Sequence, residues 1–261
     1  MQFSDFPTTS EAFLWLGKHW GCQLECCKPR LEIKRSGPPA PELPPELQCG
    51  TAAESEPEET DEVELPPIER CAFAVFDTET SGLSSYDVVL QFAMGLFDDK
   101  GKLLLLYDRI WKIPADVRIS KRAFAVHKID YKRIRKDGMD TAPQLRIVLG
   151  MLRRLKERKV PVCAHNKSFD VRLLKQTALR HGIGDWDLEA RDVLCTMQLA
   201  KPYTGFVSAK TGRPKAPSNV ELYKFLHDGE TPDFGALHDA STDIKVTAAS
   251  FAAGCARGWW R

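Results

Sequence analysis

The 261-residue chain lacks any apolar run near the roughly 18 residues that a membrane-spanning helix needs, so no such helix is expected. Its first residues, MQFSDFPTTSEAFLWLG, lack the basic start of a secretory leader. They also carry acids where an organelle import sequence is Arg-rich. The expectation is an intracellular protein, cytoplasmic or nuclear and not secreted. Internal repeats are absent. So is the ligand spacing of a zinc module: His19, Cys22, Cys26 and Cys27 cluster but fit no tetrahedral pattern. Eight cysteines without a secretion signal are expected as free thiols, four of them inside apolar stretches of the core.

Net charge is also missing, with 37 Lys and Arg against 36 Asp and Glu, but the balance hides an asymmetry. Residues 1–69 hold 5 basic and 14 acidic side chains, whereas residues 70–261 hold 32 and 22. A basic body behind an acidic arm suits a domain that binds a polyanion. Residues 36–67 are rich in Pro and Glu and poor in large apolar side chains, so they bury too little surface to offset their ordering entropy. The chain therefore divides into a segment of unknown role at 1–35, a disordered, semi-extended Pro/Glu-rich linker at 36–69 and a folded domain at 70–261. Residues 9–20 have the spacing of one short amphipathic helix. It is a docking peptide, an element packed on the main domain, or a tail without a role.

From residue 70 the pattern becomes regular. CAFAVFD is nearly continuously apolar, as suits a strand buried on both faces. VVLQFAMGLF and KLLLLYDRIWK flank Asp98-Asp99-Lys100-Gly101 and read as a hairpin. Residues 141–157 open on Thr141-x-x-Gln144, a capping-box pattern, with Pro143 in the first turn. Leu145, Val148, Leu149, Leu152 and Leu155 then recur at helical spacing. A strand VPVCAH leads into a helix expected from Ser168. A short strand near 191–195 and helices near 217–228 and 239–256 complete the pattern. Strand, hairpin, then alternating helices and strands predict an α/β domain with a mixed sheet.

Three segments in this frame carry carboxylates: DTETSG from residue 77, HNKSFD ending at Asp170, and HDASTD from residue 238. Side chains alternate along a strand, so Asp77 and Glu79 share one face at the carboxyl end of the first strand. Ligands of open α/β sheets gather at that end. Asp170 falls in the first turn of a helix capped by Ser168, where it either helps start the helix or reaches the same sheet edge. Residues five apart on a regular helix diverge by about 140°. With Asp239 as N-cap, however, His238 precedes the helix and swings over groups held by Asp243. Ala240, Ile244, Ala248, Phe251 and Cys255 form the apolar stripe beside it. Four acids in one pocket repel one another unless a hard divalent cation, Mg²⁺ or Mn²⁺, joins them through oxygen. An imidazole beside such a site suits a general base, and the whole set points to phosphodiester hydrolysis.

In their order, DTETSGL, AHNKSFD and HDASTD resemble the motifs of the DEDDh, or DnaQ-like, 3′→5′ exonuclease superfamily, above all its proofreading-subunit type of domain. AFAVHKI resembles that family's Val-His-Gly-Ile segment, and NVELYKFL the helix before its last motif. The resemblance covers about residues 70–256. It implies a ribonuclease H-like mixed β-sheet flanked by helices, with a disordered N-terminal arm. It implies two divalent cations, Mg²⁺ or Mn²⁺, with Asp77 bridging both, Glu79 and Asp243 completing the first, and Asp170 holding the second. His238 would take a proton from the attacking water, and nucleoside 5′-monophosphates would leave from a 3′ end. Thr78, Thr80 and Leu83 are expected against the terminal nucleotide, and His127 and Asn166 along the strand. The sequence departs from the family pattern at Lys128, where Gly is common, and at Lys167-Ser168, which replace small residues. Both departures are expected to place positive charge near the strand path.

Lys121, Arg122, Lys128, Lys132, Arg133, Arg135 and Lys136 either track phosphates or form a solvated face. The basic segment 203–218 is expected to be mobile. A site that admits one free 3′ end predicts single-stranded or 3′-frayed nucleic acid, with DNA favoured over RNA by family likeness, in proofreading or repair. The competing readings are an RNA-trimming 3′→5′ exoribonuclease, a catalytically silent nucleic-acid module, and a polymerase-associated interaction subunit tethered through the N-terminal arm.

Overall fold

A computed structural model describes residues 70–260 of the chain; the docking-helix, zinc and linker readings of residues 1–69 lie outside the described residues. Three long strands, β1 (Phe73–Thr80), β2 (Val89–Phe97) and β3 (Leu103–Ile110), form an antiparallel meander. β4 (Val162–Ala164) and β5 (Leu194–Cys195) then add in parallel beside β1, giving the order β3-β2-β1-β4-β5. The sheet is mixed, as the alternation of elements predicts. Asp98 closes the β2–β3 hairpin by accepting the N–H groups of Lys100 at 3.0 Å and Lys102 at 2.8 Å.

The helices in chain order are α1 (Lys121–His127), α2 (Tyr131–Asp137), α3 (Thr141–Glu157), α4 (Lys167–Arg180), α5 (Thr196–Thr204), α6 (Asn219–Leu226) and α7 (Ala240–Ala256). They cover both faces of the sheet. Ala74 and Phe76 of β1 join Leu145, Val148 and Leu152 of α3 and Leu173 and Leu174 of α4 in one core. Phe73 and Val75, pointing the other way, join Leu222 and Leu226 of α6 and Ile244, Ala248 and Phe251 of α7 in a second. Central β1 is therefore apolar throughout because neither of its faces meets water. Each fully buried leucine contributes roughly 1.5–3 kcal/mol.

Several local expectations change once the chain is packed. α3 starts where its periodicity predicts, but its N-cap is Asp140, which makes no side-chain cap bond. The capping box does not form, because both of its side chains are drawn into tertiary contacts: Thr141 donates its hydroxyl to the Lys112 carbonyl, and Gln144 accepts from the Tyr107 hydroxyl at 2.7 Å. α4 starts at Lys167 with Asn166 as N-cap, so Ser168 lies inside the first turn. The apolar stripe of α7 ends at Phe251, and Cys255 is exposed. Trp260 folds back over Gly254 instead, where an added Cβ would lie 1.8 Å from the indole. Cys71, Cys163 and Cys195 are buried free thiols. α1, α2 and α5 run only 7, 7 and 9 residues, too short to declare a helical period. The 203–218 segment, expected to be mobile, closes on itself through a Val207–Pro214 bridge, and its Pro217 carbonyl accepts His165 Nε2–H at 3.1 Å. Among the described residues no helix is long and apolar enough to cross a membrane.

Candidate active site

The β1–β2 register carries Asp77 opposite Ala93 and Glu79 opposite Gln91, and shifts only after Glu79. Extended geometry thus persists through the DTET segment. Asp77 and Glu79 follow Phe73 and Val75 on the face that packs α7. α7 is capped by Asp239, whose carboxylate accepts from the Ser241 N–H at 3.1 Å and hydroxyl at 2.6 Å. That cap sets the helix origin and leaves Asp243 in the first turn, against the end of β1. Asn219 at the start of α6 donates to the Asp243 carbonyl at 3.2 Å and accepts the Thr247 hydroxyl at 3.2 Å, which fixes α7 from its other side. Carboxylate oxygens of Asp77, Glu79 and Asp243 come within 4.8 Å of one another. Three clustered hard oxygen donors fit a divalent cation such as Mg²⁺ or Mn²⁺.

Asp170 is not part of that trio and arrives from the opposite face of the sheet. Parallel β4 hands the chain to α4, and Asp170 in the first turn of α4 is buried. It accepts the Thr78 hydroxyl at 2.7 Å. Burial pushes its pKa up to about 7, with the Thr78 bond opposing the rise. Burial also raises Asp77 well above the usual carboxylate range, and the charges of Asp170, Asp243, Glu79 and Asp239 add to it. Glu79 is pushed up to about 8 by burial and then by Asp243, Asp239 and Asp170. Burial lifts Asp243 to about 6, moderated by the charge and backbone N–H of His238. Four acids raised together are a site that repels its own charge until a cation arrives.

His238 is exposed, directly ahead of the Asp239 cap, with φ +63°. A non-glycine residue held left-handed costs about 1–2 kcal/mol. Such strain persists only where the surroundings impose it, here between the preceding loop and the capped helix.

The expected substrate contacts separate on inspection. Leu83 is 65% exposed in the loop after β1, and Asn166 is exposed with no side-chain cap bond. Thr78 and Thr80 are buried, and their hydroxyls are committed to Asp170 and to the Gly82 carbonyl at 2.9 Å. His127 is corrected. It is buried, its Nδ1 accepts the Ile129 N–H at 2.9 Å, and its Nε2–H therefore donates to the Thr80 carbonyl at 3.1 Å. Neither ring nitrogen is left for a nucleic-acid strand; the residue ties the end of α1 to the end of β1. Lys128, which stands where the family favours Gly, caps α1 in the left-handed conformation at φ 58°. Lys167 donates its ammonium to the Val193 carbonyl at 2.6 Å, which ties the start of α4 to the turn before β5.

Asp239 matters beyond its predicted capping role, because its charge also bears on Asp77 and Glu79. Buried Gln91 donates from one amide nitrogen to Asp108 at 2.9 Å and to Asp239 at 3.3 Å, and Arg133 of α2 stands 3.9 Å from Asp239. Gln91, Asp108 and Asp239 carry no sequence signal as a group. They lie on two strands and a helix and meet only through the sheet register.

A family model described as exonuclease, of the RNase T type, matches residues 74–251. No curated protein matches the sequence. Among solved structures, the nuclease domain of 3′hExo, a DEDDh family member bound to rAMP, has a TM-score of 0.53 at 10% identity, covering 71% of this chain and 92% of that one. Exonuclease I of E. coli in complex with single-stranded DNA has a TM-score of 0.52 at 18% identity, covering 71% of this chain and 40% of that one. Exonuclease I from Methylocaldum szegediense has a TM-score of 0.55 at 17% identity, covering 72% and 41%. This chain thus spans about two-fifths of the exonuclease I chains. The structural likenesses show the ribonuclease H-like fold, and the family model, which spans most of the domain, makes this chain a member of the RNase T exonuclease family.

Proposed function

We propose that the protein removes nucleoside 5′-monophosphates from the 3′ end of single-stranded or frayed nucleic acid, with DNA as the favoured polymer. The observation that carries this reading is the trio of Asp77, Glu79 and Asp243 at the open end of β1. Asp77, Glu79 and Asp243 would hold one cation, and Asp77 with Asp170 a second. Divalent cations at such a site polarise the phosphate and lower the pKa of bound water.

The remaining work falls to the chain. Thr78 orients Asp170 through its hydroxyl. The Asp239 cap and the Asn219 bond set the height of Asp243 over β1. His238, exposed at the rim, receives the proton that leaves the attacking water. Leu83 presents apolar surface where the terminal base would rest. Arg133 and its neighbours on α1 and α2 supply positive charge near the mouth, which attracts a polyanion.

The decisive experiment gives 5′-labelled single-stranded DNA and RNA of one sequence to the purified protein with Mg²⁺. A ladder shortening from the 3′ end on DNA is expected. A ladder on RNA alone would replace this reading with RNA trimming, and no ladder on either would refute the nuclease reading. A proofreading role further requires a polymerase partner. Its capture through the N-terminal arm would be lost on deleting residues 1–35.

A further inference from the structure

The loop between β1 and β2 is built around one carboxylate. Asp87 Oδ1 accepts the Ser81 hydroxyl at 2.8 Å, and Oδ2 accepts the Ser84 N–H and hydroxyl, each at 2.7 Å. A Cβ on Gly82 would lie 2.6 Å from this carboxylate, so the turn requires glycine. α4 clamps the loop from outside. Arg172 donates to the Leu83 carbonyl at 3.2 Å and the Ser84 carbonyl at 3.5 Å, and Gln176 donates to the Ser84 carbonyl at 3.1 Å and to that of Asp87. The Asp87 carboxylate and the carbonyls of Leu83, Ser84 and Asp87 are therefore satisfied within the fold. The large apolar side chains of the loop are turned out, with Leu83 65% and Tyr86 77% exposed.

Core packing does not explain an aromatic ring held out on so firm a base. Tyr86 stands beside an open cleft of about 430 Å³ whose other lining includes Arg172, Lys175, Gln176, Leu179 and Arg180. Those five residues occupy one face of α4 at helical spacing. The cleft lies on the outer side of α4, and the loop that carries Tyr86 leaves β1 at Thr80, directly after the acids of the DTET segment. Lys175 lies about 7.5 Å of helix rise beyond Asp170, and Leu179 about 13.5 Å. Arg180 is paired with Asp116 and Arg172 holds the loop, which leaves Lys175 as the cation turned to the cleft. An exposed aromatic face, an apolar neighbour and a lysine are the parts from which single-strand grooves are made.

We propose that this cleft is an upstream single-strand subsite, in which Tyr86 stacks on a base 5′ of the cleaved nucleotide while Lys175 faces the adjoining phosphate. The inference rests on the nuclease reading and extends it away from the metal-binding acids. Stacking uses the face common to all bases, so the subsite is indifferent to sequence and to the sugar.

The test compares a 5′-labelled dodecamer of thymidylate with the p-nitrophenyl ester of thymidine 5′-monophosphate, which is too short to reach the cleft. Tyr86→Ala is expected to lower the ratio of kcat/KM for the dodecamer to that for the ester about tenfold, the scale of one lost base stack, through KM. Tyr86→Phe restores the ratio. Lys175→Ala lowers it and flattens its dependence on salt. A wild-type ratio in Tyr86→Ala overturns the subsite while leaving the nuclease reading intact. If the wild type cleaves neither substrate, the nuclease reading fails. Fluorescence anisotropy of the dodecamer on chelated protein then decides the cleft alone: equal affinity for wild type and Tyr86→Ala refutes it, and one favouring a protein partner instead would show no dodecamer binding at all.

Discussion

Removing metal from the acidic cluster makes the stability of this protein fall as pH rises, in a window where most proteins are indifferent. The sign follows from the raised carboxyls. A carboxyl whose folded pKa lies above its unfolded value keeps its proton only in the folded chain. The folded chain then binds more protons, and stability falls as pH climbs towards the folded pKa. The fall starts near the unfolded carboxyl pKa of about 4 and, with Glu79 at about 8 and Asp170 at about 7, extends through pH 6.5 to 8, where Asp77 is also raised well above its ordinary range. The histidines offset part of this fall. Burial lowers His127, His181 and His165, the last to about 4, so each holds about half a proton more in the unfolded chain at pH 6.5 and opposes the fall by about 0.4 kcal/mol. One extra proton held on the acids across about 1.5 pH units is worth about 2 kcal/mol at about 1.4 kcal/mol per unit, which leaves a net fall of about 1 kcal/mol. For a domain of this size that is a fall in Tm of about 2–4 °C. The assay is a thermal melt in chelator at the two pH values, repeated with excess Mg²⁺, which displaces the protons and flattens the response. A chelated Tm that is level or rises from pH 6.5 to 8 would refute the proposition that these acids share one buried pocket.

Three further outcomes are expected. Saturating Mg²⁺ or Mn²⁺ at about a hundred times its Kd should stabilise the protein by about 2.7 kcal/mol. Asp243→Asn should lose most of that gain together with cleavage, and a full metal response in the variant would remove Asp243 from the ligand set. His238→Ala should keep the metal-induced rise in Tm while losing about 10²–10⁴-fold in turnover near neutral pH, and wild-type turnover would end its assignment as base. Lys128→Gly should raise Tm by about 2 °C, because glycine removes the left-handed penalty at the α1 cap less its own backbone entropy. A lower Tm would show that Lys128 contributes more than its backbone strain costs.

The linear chain specified a good deal of this. The apolar run before Asp77 reads as a strand covered on both sides, and the structure places it at the centre of the sheet. Strict alternation along that strand puts Asp77 and Glu79 on one face. The capping chemistry of Asp239 separates His238 from Asp243, and the side chain caps as its residue type requires. All of these are local rules acting within one strand or one helical turn. Local rules failed where a side chain had a better distant partner. Thr141 and Gln144 left their capping box for Lys112 and Tyr107, and His127 left the strand path for Thr80 and Ile129. The gathering of Asp170 with Thr78, of Gln91 with Asp108 and Asp239, and of Tyr86 with α4 was decided by tertiary structure alone. In each case the partners are separated by long stretches of chain, and the register of strands and the packing of helices fix their distance, which no spacing along the sequence encodes.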